Sequence, residues 1–230
     1  MAAQAQPGPG TRIPLSRERV LRAAVKIADE GGIESVTMRR LAEELGAEAM
    51  SLYYHVANKD DVLDGIADAV AREINQAADR TEVPSAGDSW KTAMRRRILS
   101  ARQVLLRHPW APGLLETRTN SPAIIQHFDT LVGLMRDGGF SYDLAHHALH
   151  ALGSRALGFS QEPFDPNPGD PATATAALAD MADQFPNLAA MVAVIAHDDP
   201  TSTLGWCDDQ TEFEFGLDLI LDGLDRMRPA

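Results

Sequence analysis

The chain has 230 residues, is 44% hydrophobic and carries a formal charge of −12. That length can bury a substantial core and allows one small domain beside a larger one, while a lone cysteine, Cys207, excludes an internal disulfide framework and a cysteine-based zinc site. No run of about eighteen apolar residues is available to span a bilayer, and the opening MAAQAQPGPGTR lacks the apolar core of a secretory leader, so a cytoplasmic protein without a membrane partner is expected.

Residues 1–15, rich in Pro and Gly and free of acids, predict a flexible arm. Ser16 can cap a first helix whose Val20, Ala23, Ala24, Ile27 and Ala28 share a packing face, ending at Gly31-Gly32. Thr37 can cap the next, where Leu41, Ala42 and Leu45 recur at helical spacing before Gly46 breaks it. Ala47 to His55 is then long enough for a second short helix with Leu52 and Val56 facing inward. Small, hydroxyl and aromatic side chains on its other faces suit a DNA groove, and Arg39, Arg40 and Lys59 flank it where phosphates would run. Spacing alone serves equally for an ordinary helical hairpin with a Gly turn. Asn58, with Asp61 three residues later, predicts another helix start, and Val62, Leu63, Ile66, Val70 and Ile74 keep its repeat. Pro84 and Gly87 in the polar stretch Thr81 to Asp88 mark a domain boundary, giving domains over 16–76 and 89–230.

Helices are expected over 89–107, 109–116, 121–138, 142–162, 171–184, 187–197 and 209–227, with a surface loop over the proline-rich residues 163–171. No stretch alternates in the manner of a strand, so the fold class is all-α: an N-terminal three-helix helix-turn-helix domain and a C-terminal helical domain. The last helix carries Phe213, Leu217, Ile220, Leu224 and Met227 on one stripe, widened by Phe215, Leu219 and Leu221, which suits either full burial or a core face plus a subunit interface. Gly216 and Gly223 can admit a neighbouring helix. Charge divides unevenly: residues 1–60 hold eight cations and eight acids, so the whole acidic excess lies beyond them.

Residues 16–74 resemble the DNA-binding domain of the tetracycline-repressor (TetR) family of bacterial regulators. The resemblance rests on G-I-E-x-x-T-x-R from Gly32 to Arg39, Leu41-Ala42, Leu45-Gly46, Leu52-Tyr53, His55-Val56, Asn58-Lys59 and Leu63-Asp64, and extends to Gly139–Glu162 and FGLDLILDGL near the C-terminus. It implies a homodimer through the C-terminal helices that places two recognition helices in successive major grooves of a palindromic, double-stranded operator. It further implies a small-molecule effector whose binding shifts the helix after Asn58 and releases repression. Thr37, Met38, Arg39, Arg40, Ala49, Met50, Ser51, Leu52, Tyr53, Tyr54, His55 and Lys59 are the expected DNA-contacting set. Ala49, Met50 and Ser51 would read bases, Arg39 a base or phosphate, and Tyr53, Tyr54, His55 and Lys59 mostly phosphates.

A ligand pocket is expected among Asn75, Trp90, Met94, Trp110, Phe128, Leu131, Met135, His147, Arg155, Phe159 and Glu162, although any one of these can be plain core. Tetracycline repressors hold a magnesium-bound drug with histidines near the positions of Leu114 or Leu115 and Asn75, and only Glu162 matches an acidic group near that metal. The effector expected here is therefore apolar or aromatic with a few polar anchors. His146, His147 and His150 share a helix face that can bind a transition metal, but spacing fixes no partner carboxylate. Neither a metal nor a cofactor is expected, and no phosphate loop, nucleophile elbow or H-E-x-x-H pattern points to catalysis.

Overall fold

A computed structural model describes residues 14–81, 89–118, 120–157 and 209–228, with isolated positions between 182 and 190. The arm up to residue 13, residues 82–88, the loop 163–171, Phe159, Glu162, Trp206, Cys207 and nearly all of the helices expected over 171–184 and 187–197 lie outside the described residues. Among the described residues every regular element is helical: α1 (Arg17–Gly31), a 3-10 turn (Ile33–Ser35), α2 (Met38–Leu45), α3 (Ala49–Leu52), α4 (Lys59–Thr81), α5 (Trp90–Arg107), α6 (Ala111–Thr117), α7 (Pro122–Asp137), α8 (Tyr142–Leu157) and α9 (Asp209–Arg226).

Local chemistry sets most of these boundaries. Hydroxyls of Ser16, Thr37, Ser89, Ser121 and Ser141 each accept from the backbone N–H three residues on, satisfying one of the open donors at a helix start. At α4 the arrangement is reciprocal: Asn58 Oδ1 accepts from Asp61 N at 2.9 Å, and Asp61 Oδ2 reaches back to Ala57 N at 2.8 Å.

Packing divides the chain into two compact units, Met1–Asp137 and Gly138–Ala230. Within the first, α4 packs along α5 and both meet α7. Its N-terminal core is formed by Val20, Ala24, Ile27, Val36, Leu41, Leu52, Val56, Val62 and Ile66, all essentially solvent-free. At the α1–α4 crossing an added Cβ on Gly65 would stand 2.5 Å from Leu21 Cδ2, so glycine is what permits this close approach.

In the second unit α8 packs against α9. The buried stripe of α9 is Phe213, Leu217, Leu221 and Leu224. Met227, expected to extend it, is 67% exposed, and Phe215 and Leu219 also face outward. Gly216 makes room for a side chain, since an added Cβ there would lie 2.9 Å from Arg155 Nε.

Candidate nucleic-acid interface

Gly46 takes the left-handed conformation, φ 59°, that closes α2, and Ala47 N bonds back to Ala42 O at 3.0 Å. The second helix is shorter than the expected Ala47–His55, because Leu52 O accepts from both His55 N and Val56 N at 2.8 and 3.0 Å. That shared acceptor turns Tyr53–His55 out of regular helix and drops Val56 into the core. Met50 and Tyr54 are left 74% and 88% exposed, beside exposed Ala49 and Tyr53 and half-buried Ser51 and His55.

One member of the expected DNA-contacting set has its side chain in the core, and a second is partly engaged within the domain. Leu52 is fully buried; it anchors α3 from beneath and cannot reach a groove. Arg40 is half-buried, with its guanidinium 3.8 Å from Glu30 and an added Cβ on Gly31 only 3.2 Å from its Nη1, so it braces the end of α1. Arg39 stands in solvent, with Nε bonded to Glu43 at 2.9 Å. Thr37 is exposed, its hydroxyl engaged as the cap, and Met38 is half-buried. Lys59 is exposed with no ion-pair partner among the described residues.

Ion pairs hold the surrounding helices in register. Arg17 forks onto both Asp61 carboxylate oxygens at 2.7 Å, joining α1 to α4, and Lys26 Nζ meets Glu44 at 2.6 Å, joining α1 to α2. The hydrogen bond from Arg17, followed by that from Ala57 N–H, holds the Asp61 carboxyl below its ordinary value.

A second feature, missed in the sequence, runs along α4. Asp60, Asp64, Asp68, Ala71 and Asn75 recur at three- and four-residue steps and so share one face. Arg118, just past α6, donates to Asp60 at 2.8 Å and to Asp64 at 2.7 Å. Asp68 accepts from Ala123 N at 3.3 Å, Ala71 packs with Ala123 and Ile124, and Asn75 Nδ2 donates to Ala123 O at 2.9 Å. The last helix of the reader is thereby stitched to the α6–α7 connection. Beside this seam lies a polar cleft of about 600 Å³, bounded by Arg17, Asp64, Arg72, Arg118 and Asn120.

A third junction joins α1, α4 and the end of α5. Asp29 Oδ1 accepts from Trp110 Nε1 at 2.7 Å and lies 2.7 Å from His108 Nδ1, while His108 Nε2 faces Glu73 at 3.3 Å and Arg107 holds Glu73 at 2.6 Å. Glu73 is below its ordinary value although burial alone would raise it; the hydrogen bonds from Arg107 and His108 prevail.

These contacts redefine several expected pocket residues. Trp110 is committed to Asp29, and Asn75 is hydrogen-bonded at both ends of its carboxamide. Arg155 lies across α9, its guanidinium carbon 4.8 Å from the Phe213 ring centroid and its Nη2 donating to Glu212 O. Phe128 and His147 are exposed, and Trp90, Met94, Leu131 and Met135 are buried. His146, His147 and His150 lie exposed on α8, where His147 faces Asp143 at 3.9 Å. Among the described residues no group of three or more His, Cys, Asp or Glu is placed to hold a metal ion, and no helix is long and apolar enough to cross a membrane.

Residues 20–66 match the family described as bacterial regulatory proteins, tetR family, and residues 83–228 match the tetracyclin repressor-like C-terminal domain. The chain belongs to the TetR family. This TetR-family protein is 43% identical over 108 residues to an HTH-type transcriptional regulator of Saccharopolyspora erythraea, an overlap of 47% of the chain and 43% of that relative. It is 36% identical over 148 residues to the class D tetracycline repressor protein of Escherichia coli, an overlap of 63% and 64%. The chain thus spans less than two thirds of the length of either relative. The Streptomyces coelicolor TetR family protein ActR, solved in complex with (S)-DNPA, superposes with a TM-score of 0.68 at 26% identity, covering 94% of this chain and all of that one. The TetR-family chain accordingly joins the helix-turn-helix domain of bacterial regulatory proteins to a helical, tetracyclin repressor-like C-terminal domain.

Proposed function

We propose that the protein is a homodimeric repressor that leaves a palindromic operator when a small molecule binds its C-terminal domain. The observation that carries this reading is the double membership of α4. It supplies Val62 and Ile66 to the core beneath the reader, and its opposite polar face is bonded to Arg118, Ala123 and His127 of the α6–α7 region. A displacement of α6 or α7 on effector binding would move α4, and with it the spacing of two recognition helices that must enter grooves about 34 Å apart.

The repressor role is supported by the name of the Escherichia coli relative, and a small-molecule effector by the ActR complex. The outward-facing Phe215 and Leu219 of α9 supply an apolar surface of the kind a second copy would cover. On the reader, Ala49, Met50 and Ser51 are assigned to base edges, with Met50 suited to a thymine methyl, and Tyr53, Tyr54, His55 and Lys59 to phosphates. A gel shift against the DNA flanking the protein's own gene, repeated with a panel of aromatic small molecules, tests the reading. A protected palindrome that dissociates on adding a compound is the expected result; a complex indifferent to every compound that binds the protein would make this a constitutive binder. Linkage requires that operator DNA weaken binding of that compound by the same factor.

A further inference from the structure

The strongest unassigned chemistry in the first unit is the imidazole of His127, on α7. Its Nδ1 lies 2.9 Å from Asn75 Oδ1. Asn75 Nδ2 donates to the Ala123 carbonyl at 2.9 Å, which orients the carboxamide so that only its oxygen faces the ring. An oxygen can only accept, so the Nδ1 of His127 carries the proton. Burial, and then the positive charge of Arg97, push the ring's pKa down to about 4, so the imidazole is neutral. Its Nε2 therefore bears a bare lone pair, and that atom has no hydrogen-bond partner among the described residues. The ring is only half-buried and belongs to a face of α7 whose Ala123, Ile124 and Leu131 are buried. Because the ring is not fully buried, an outside molecule has an edge to approach.

We propose that His127 Nε2 is the polar anchor for the effector, accepting a hydrogen bond from the hydroxyl of a phenolic aromatic molecule. The inference rests on the effector-switch reading above. A carboxylate would set its own lone pairs against that of Nε2, and an ether would offer no donor. An acidic phenol is favoured over an alkyl alcohol because the partial negative charge that develops on its oxygen lies within the field of Arg97. Asn75 orients the ring and does not itself meet the ligand.

The test uses matched probes on the full-length protein: 2-naphthol with 2-methoxynaphthalene, and 2,6-dihydroxyanthraquinone with its dimethyl ether, titrated by tryptophan fluorescence. The unmodified protein should bind each phenol at least about tenfold tighter than its ether, the difference one buried hydrogen bond confers. In His127→Phe, which keeps an aromatic ring without the acceptor, the ratio should fall to within about twofold. Long-range proton–nitrogen NMR on the unmodified protein should place the ring proton on Nδ1, a readout that does not depend on how the variant folds. Equal binding of phenol and ether, no binding of either, a preference that survives His127→Phe, or a proton on Nε2 would each overturn the proposal. If the preference disappears in the variant but bound phenol leaves the operator complex intact, the anchor stands and the switch reading fails.

Discussion

His127 links one side chain to the stability of the whole fold. Its pKa of about 4 in the folded protein lies below the ordinary 6.5, so folding favours the neutral ring. The unfolded chain then binds the extra proton first. Stability from this residue is complete above pH 6.5 and is lost as the pH falls from there toward 4, by roughly 3 kcal/mol in all. Urea unfolding between pH 7 and 4.5 should show most of that loss in the unmodified protein and little of it in His127→Phe, because carboxyls such as Asp61 and Glu73, whose values are lowered, lose their stabilisation only at still lower pH. Leu52 sets a contrasting case. Because it is fully buried beneath the reader, Leu52→Ala should destabilise the protein by about 2–5 kcal/mol and weaken operator binding only through unfolding. Lys59→Ala should leave the melting temperature unchanged and lower the salt slope of operator affinity by about one per protomer, as loss of one phosphate contact requires.

Among the elements, α4 shows how far the residues alone could be read. Its apolar repeat from Val62 to Ile74, the start at Asn58 and the partnership with Asp61 are local and therefore legible in the chain. The starts of α1 and α2 were legible for the same reason, marked by the caps Ser16 and Thr37. The partners of Asp60, Asp64, Asp68 and Asn75 were not, since Arg118, Ala123 and His127 lie about fifty residues away and periodicity says nothing of what a polar face meets. The spacing of those acids was itself a signal that a polar stripe adjoined the apolar one. Likewise Leu52 was expected both to face the core and to touch DNA, and only burial separates the two. The crossing of α4 with α1 makes a further prediction. Gly65→Ala would drive a methyl into Leu21 and should cost about 1–3 kcal/mol in packing, offset by about 1 kcal/mol of helix propensity gained in mid-helix. Leu21→Ala in that background should recover part of the loss, a coupling that a double-mutant cycle in urea would register and that independent sites would not show.

For the molecule as a whole, charge and assembly bear on the same question. The acidic excess lies beyond residue 60, so a single reader has only local cations such as Lys59 with which to approach a polyanion, and one half-site should be held weakly. Joining two readers makes the second contact intramolecular, which can raise affinity by about 10²–10⁴ without any new residue touching DNA. Phe215 and Leu219 of α9, 62% and 58% exposed, are the surface on which that joining is proposed to depend. Replacing both with Glu places like charges on a face that would meet its own copy, while the buried Phe213, Leu217, Leu221 and Leu224 stripe stays intact. Sedimentation equilibrium should find the unmodified protein dimeric and Phe215→Glu/Leu219→Glu monomeric with the same helical content. Operator affinity should then drop at least about a hundredfold while binding to an isolated half-site is kept. A variant that stays dimeric would place the subunit contact on another surface, and a monomer that retains full operator affinity would show that the two readers do not act as a linked pair.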